Sequence, residues 1–250
     1  MITLGIWWVF AIIYNGGNAT LAFPTPPETF HRMGEYFFDG RSLYGQTIYE
    51  HTLASLSRLF TAFGLAAVFG ISIGCLLGYY TRIYAIGMVP VSVFQMIPGL
   101  AWLPIAILVF GLGDEAAVFI IFAVSSMVIT VGVASGIRMV PPVLVSAARM
   151  MGASSARIFF TVLVPQASVS IISALRVGMS SAFRVLIAAE MVVGTGVGLG
   201  YSIELTRDLL DYTGAFACIA VICIIGLIVD RLILAGIERG VRRRLGLEGD

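Results

Sequence analysis

Two arginines and a glutamate, Arg176, Arg184 and Glu190, fall within one otherwise apolar stretch, Ala167 to Val193. A charge inside a membrane-spanning helix is costly, so such residues face a partner, a cavity or a pathway. Arg184 lies past the middle of the stretch, roughly 6 Å beyond it at about 1.5 Å rise per residue. From there its guanidinium can draw an anion through, or be met by a carboxylate from a neighbouring helix. Arg176 sits in the other half, and both arginines are long enough to reach carbonyls or lipid phosphate by snorkelling. Glu190 either belongs to the same path or holds the Gly-rich turn that follows it.

A second constellation is Pro90, Pro98 and Pro104 inside one apolar run, Tyr84 to Phe110. Proline removes a backbone donor and clashes with the preceding turn. The helix is therefore expected to kink or unwind near Gln95 to Gly99, with the freed backbone groups beside protein or water. Gln95, Met96 and Pro98 become candidates for the wall or gate of a translocation pathway, and a kink used only for packing is the alternative.

The third is "VSAARMMGASSARIFFTVLVPQ", Val145 to Gln166. On a helix Ala147, Ala148 and Met151 are expected along one face. Gly152 then tolerates a sharp change of direction, and Ser154 can cap a second short helix, Ser154 to Leu163, that Pro165 stops. Two short helices bent at a glycine, with Ala153 beside the bend and Arg149 and Arg157 on the flanks, make a knob that can fit a groove on another protein.

Several enzyme-like motifs fail on context. "GISIG" (Gly70 to Gly74) matches a nucleophile elbow, but that motif needs a strand-to-helix turn and here lies mid-span, where small residues at four-residue spacing let helices pack closely. "GTGVGLG" (Gly194 to Gly200) has neither the third glycine at the required spacing nor a preceding strand, and reads as an external flexible turn. The chain contains no Lys, so no Walker A motif is possible. Cys75, Cys218 and Cys223 lie in apolar runs without ligand spacing, and read as small buried residues rather than metal ligands.

The elements that carry these residues are set by composition. Of 250 residues 59% are hydrophobic and 12% charged, and the mean hydropathy is +0.99; a soluble domain carries about a quarter charged residues. A net charge of +1 implies no nucleic-acid partner. Six apolar segments approach the roughly 20 residues a membrane helix needs: Ile2 to Ala22, Leu53 to Tyr80, Tyr84 to Phe110, Ala116 to Ile137, Ala167 to Val193 and Thr213 to Ala235. The first has no basic leader region or clear cleavage site and is not read as a signal peptide. Basic residues accumulate on the cytoplasmic side. Arg82, Arg138, Arg149, Arg157, Arg231, Arg239 and Arg242 to Arg244 then lie inside and Arg32, Arg41, Arg58 and Arg207 outside, which puts both termini in the cytoplasm. Phe23 to Thr52 is expected outside, extended at its prolines and then forming a short interfacial helix.

On these residues the chain resembles a known family. "SAARMMGASSARIFFTVLVPQ" resembles the EAA loop of ABC-importer permeases: Ala147, Ala148, Gly152 and Pro165 match, and Ser146 stands where the family carries Glu. "FPTPPETF", "HTLASLSRLFTAFGLAAVFGISIGCLLG", "IPGLAWLPIAILVFGLG" and "AAEMVVGTGVGLGYSI" are similar, in order, to further segments of the nitrate, sulfonate and taurine branch. The resemblance implies an all-α, polytopic membrane protein of six transmembrane helices with a cytoplasmic coupling loop. It implies one transmembrane domain over 1–250, with the permease core at 52–237 and the loop at 139–166. It also implies a permease in the cell inner membrane without its own ATPase site, metal or other cofactor. Its partners would be a second permease copy, two ABC ATPase subunits that bind the ATP, and an external substrate-binding protein. The expected cargo is a small anion such as nitrate, a sulfonate or taurine. An ion-driven secondary transporter is the alternative.

Overall fold

A computed structural model describes residues 2–17, 22–43, 45–229 and 236. The end of the sixth apolar segment, Arg231, Arg239 and Arg242 to Arg244 lie outside the described residues. Among the described residues eleven α-helices follow one another: α1 (Ile2–Gly17), α2 (Pro26–Phe38), α3 (Ile48–Tyr79), α4 (Thr81–Met96), α5 (Leu103–Phe110), α6 (Asp114–Arg138), α7 (Pro142–Met150), α8 (Ser155–Ile158), α9 (Val164–Val193), α10 (Leu199–Asp208) and α11 (Tyr212–Ile228). No strand occurs among the described residues.

Among the described residues three helical rods are long and apolar enough to cross a membrane: α3, α6 and the continuous helix Ser155–Val193. The pair α4 and α5 makes a fourth span if counted as one, bent by 100° where Pro98 interrupts it, and α1 and α11 are apolar but shorter. Each of the six expected apolar segments carries helix in its described part, whereas six full-length spans are not found among the described residues.

The core is α3, α6 and α9, with α3 and α6 parallel and α9 antiparallel to both. Their approach is set by small residues at four-residue spacing. A Cβ on Gly70, Gly74 or Gly78 of α3 would stand 2.8, 2.7 or 2.8 Å from Ile129, Val133 or Ile137 of α6. Ala62 and Ala66 continue the same ridge, fully buried. On the other side Ile129 lies against Gly178 of α9. The "GISIG" segment is thus a packing surface, where backbones come close because nothing projects between them.

Proline acts differently at its several positions. Pro26 and Pro27 sit at the first turn of α2, where a missing N–H costs nothing, so the extended stretch ends at Thr25. Thr25 and Glu28 form a capping box there. Pro165 does not end a helix, contrary to the sequence expectation. Phe159–Leu163 forms a π turn, and the wider turn lets α8 run through Pro165 into α9 as one 39-residue helix.

The end carrying Asp114 is closed by α2, α10 and the start of α11, around Tyr36, Leu43, Ile48, Leu199 and Cys218. Arg32 of α2 reaches Asp211, the N-cap of α11, at 2.9 Å. Burial pushes the Tyr36 phenol up to about 12, so it stays a neutral hydrogen-bonding group. Cys218 is buried and Cys75 half-buried, but Cys223 is exposed, which corrects the expectation that all three are buried.

Candidate functional site

At the Arg138 end, α7 leaves α6 through Pro141 and closes on a Schellman cap. Gly152 takes φ +79°, its N–H donates to the Arg149 carbonyl at 2.9 Å, and the Ala153 N–H donates to the Ala148 carbonyl at 3.1 Å. Such a cap needs a left-handed residue after the helix and a hydrophobic contact across it. Ala148 and Ala153 supply the contact. They pack with Ile137, Val140, Ile158, Leu163 and Ala167 in an apolar cluster that fastens the knob to α6 and α9. Ser154 accepts a hydrogen bond from the Arg157 N–H at 3.3 Å, capping α8 as expected.

Ala147, Ala148 and Met151 keep the expected helical spacing, the Met151 N–H donating to the Ala147 carbonyl at 3.1 Å. Their burial differs: Ala148 is buried and Ala147 partly so, whereas Met150 and Met151 are 84% and 81% exposed beside exposed Val143. The chain turns just after Met151, at Gly152. The alanines hold the knob and the methionines present it. Arg149 and Arg157 are exposed, as is Pro165.

At the opposite end "GTGVGLG" is not a flexible turn but a pinned one. Gly194 ends α9 in the left-handed region. The Gly198 N–H donates to His51 Nδ1 at 3.0 Å, the Leu199 N–H to Ser55 Oγ at 2.8 Å, and the Gly200 N–H to Glu190 Oε2 at 2.9 Å. Ser55 Oγ donates to the Glu190 carboxylate at 2.8 Å, and Arg58 Nη1 lies 2.6 Å from Glu190 Oε1. Arg58 also reaches Asp114 at 2.9 Å. Glu190 is 0% exposed. Of its two sequence readings, the structure places it with the turn, behind the helix seam. A Cβ on Gly198 would stand 2.7 Å from that carboxylate, so the turn can approach only without a side chain.

Between these ends a groove of about 410 Å³ opens beside Gln95, between α4, α6 and α9. Its polar lining is Gln95, Ser135, Ser170 and Ser173. On α9, Ser170, Ser173, Ser180, Ser181 and Arg184 fall within a little over a quarter of the helix circumference at 3.6 residues per turn and so share one side. That side is turned away from the buried ridge Ala174, Gly178, Ala182, Leu186. Arg184 is exposed within the single chain and donates to Ser181 Oγ at 3.2 Å. Met96 is 82% exposed and Pro98 stands in the break between α4 and α5. Among the described residues no cluster of His, Cys, Asp or Glu could hold a metal.

Sequence reasoning missed His51, Ser55, Arg58 and Asp114 at the turn, and the serines on α9. The first group is distant in sequence from what it holds. The second shows in the sequence only as spacing, since a serine within an apolar helix carries no charge to mark it.

A helical bundle with a bent span, an exposed knob and a polar groove along one helix suits a membrane permease. The sequence profile described as "Binding-protein-dependent transport system inner membrane component" matches residues 66–243. The chain belongs to that family and is a permease subunit of an ABC importer. Over 74% of its length it is 35% identical to a putative ABC transporter permease protein of Methanocaldococcus jannaschii, covering 69% of it. It is 28% identical over 92% of its length to the taurine transport system permease protein TauC of Escherichia coli, covering 82%. With the nitrate import permease protein NrtB of Synechocystis sp. the identity is 31%, over 90% of this chain and 82% of the relative. The fold is similar to inward-facing MetNI, a methionine ABC transporter, with TM-score 0.67, 22% identity, and coverage of 78% of this chain and 95% of that one. None of these relatives supports the ion-driven alternative.

Proposed function

We propose that this permease passes a small oxyanion-bearing solute along the serine and arginine side of α9. The whole of 1–250 acts as one transmembrane domain with its core at 52–237, and two copies form the pore. The supporting observation is the stripe itself: the partly exposed hydroxyls of Ser170, Ser173, Ser180 and Ser181 lead to the exposed Arg184. Hydroxyl donors and one guanidinium suit an oxyanion that must be held weakly enough to leave. Relatives named for taurine, bicarbonate and nitrate carry cargo of that chemistry.

The segment 139–166 is the coupling loop, which docks on ATPase subunits through Met150, Met151 and the flanking arginines. ATP is bound by those subunits, since this chain has no Lys for a phosphate loop. The binding protein docks at the opposite end, on α2 and the segment Gly194 to Asp211. Both termini are cytoplasmic, in keeping with the arginine bias.

Arg184→Gln tests the path. Uptake should fall about tenfold or more, the loss of one charge-assisted contact of roughly 1.5–3 kcal/mol, while ATP hydrolysis, melting temperature and binding-protein affinity hold. A joint fall of stability and uptake would make Arg184 structural, and unchanged uptake would remove it from the path.

A further inference from the structure

The chain has two histidines, His31 and His51. His31 is exposed on α2 and meets Glu35 at 3.2 Å. His51, in the first turn of α3, is 1% exposed and lies against the Gly194 to Gly200 turn through Gly198. Histidine ordinarily changes charge between pH 5 and 8, so a buried one that holds a turn makes that turn answer to pH.

The hydrogen bonds fix which form of the ring fits. The Gly198 N–H donates to Nδ1 at 3.0 Å, and a backbone amide can only donate, so Nδ1 carries no proton. The ring's one proton is then on Nε2, which faces the Leu43 carbonyl at 3.4 Å. An imidazolium has two donors and no acceptor. A proton on Nδ1 would therefore set N–H against N–H. Gly198 is also the N-cap of α10, and a helix dipole disfavours a cation at that end.

The charged groups around the ring are committed elsewhere. On α3 itself the Glu50 carboxylate turns back to the Thr47 N–H at 2.6 Å, and Arg58 lies between Glu190 of α9 and Asp114 of α6. Glu190 also takes the Gly200 N–H. The turn has no titratable side chain, and those of α10 begin at Tyr201. Both nearby glutamates are thus engaged, and a new proton on the ring would point at the Gly198 amide.

We propose that His51 is a pH latch on the outer turn: the neutral imidazole holds the Gly198 N–H and with it the start of α10, and a proton on Nδ1 releases them. Release admits the proton, so closure is fully present above the value of a solvated ring and is lost as pH falls through it. With about 6.5 for that ring, release becomes about tenfold more frequent between pH 7.5 and pH 5.5. The bearing of the latch on transport rests on the docking of the binding protein proposed above for this end, which would weaken in an acidic medium.

The test uses the full chain in lipid nanodiscs and reads hydrogen–deuterium exchange of residues 194–203 at pH 7.5 and pH 5.5, corrected for the intrinsic change of amide exchange with pH. Protection should fall about tenfold at the lower pH, while the α6 amides around Ile129 keep theirs. His51→Gln, whose carbonyl can accept from Gly198 and whose amide can donate to Leu43 without titrating, should lose the pH dependence. His31→Gln leaves His51 as the one imidazole in the chain and should keep it. Unchanged protection in the parent, an equal fall in His51→Gln, or loss of the fall in His31→Gln overturns the latch. Affinity for loaded binding protein, measured on the same preparations, separates latch from docking. Affinity that falls with the turn in the parent and not in His51→Gln supports both, whereas a turn that loosens while affinity holds keeps the latch and removes the docking reading.

Discussion

Glu190, Arg58, Ser55 and His51 meet at one end of the bundle with no water on the glutamate, whereas at the other Ala148, Ile158, Leu163 and Ala167 hold the knob by carbon contacts. The first arrangement is directional: five hydrogen bonds must align, and three of them, from Arg58, Ser55 and the Gly200 N–H, satisfy the buried Glu190 carboxylate. The second is not, because apolar burial depends on area rather than angle. A turn pinned in the first way is fixed in shape. A knob held in the second way can tilt without leaving a polar group stranded. On the docking proposed above, the transporter would be rigid where it receives substrate and adjustable where it receives the push.

The largest effect should come from breaking the pinned end. Removing one partner of a buried ion pair costs about 3–5 kcal/mol, so Glu190→Ala should lower the melting temperature by roughly 6–20 °C, at about 2–4 °C per kcal/mol. Glu190→Gln, which keeps the Gly200 hydrogen bond, should lose less. A melting temperature within a degree of the parent for Glu190→Ala would erase the contrast between the ends.

Next comes the seam that joins them. Gly74→Ala places a methyl 2.7 Å from Val133 and 2.9 Å from the Thr130 carbonyl, an overpacking of about 1–3 kcal/mol, to be read as a melting shift with the knob and turn both intact.

At the adjustable end Gly152 has open space around a would-be Cβ, so only φ +79° penalises a side chain. Gly152→Val should cost about 1–2 kcal/mol, yet abolish ATP-driven uptake while the protein still assembles in the membrane. Normal uptake with normal ATPase association would deny the knob its role.

The smallest effect lies on the exposed rim of the outer end. The hydrogen bond from Arg41 holds the Glu35 carboxyl below its ordinary range. Its stabilisation is present above the unfolded-state pKa, near 4.3, and is lost as pH falls through the lower folded value. A melting curve taken from pH 6 down to pH 3 should show a slightly smaller acid loss in Arg41→Gln. No difference would leave the acid loss to the other carboxylates of this end, Asp211 with Arg32 among them.

What the sequence made legible follows from range. Apolar runs gave α3, α6 and α9, because crossing a bilayer imposes a length that any window can read. Pro98 marked the break between α4 and α5, and Gly152 the cap of α7, because both act within four or five residues of themselves. Pro165 misled because its effect depends on the π turn at Phe159–Leu163, which a local breaker rule does not contain. The Gly194 to Gly200 turn misled for the opposite reason: glycines alone read as slack, while the donors and acceptors that fix it, His51 and Ser55, stand more than 140 residues away. Glu190 was visible as a buried charge, but its partner Arg58 was visible only as one arginine among several near the outer face.

The helix Ser155–Val193 joins the root of the knob to Arg184 and on to Glu190, interrupted only by the π turn at Phe159–Leu163. At about 1.5 Å per residue it is a rod some 58 Å long. If it moves as one piece about the end held by Arg58 and Ser55, a swing of only about 5° near Glu190 would move the knob by roughly 5 Å over that length. In the same motion, a displacement of several ångströms imposed at the knob would reach the depth of Arg184 reduced to a fraction, a scale that suits opening or narrowing the proposed path without unseating the turn beyond it.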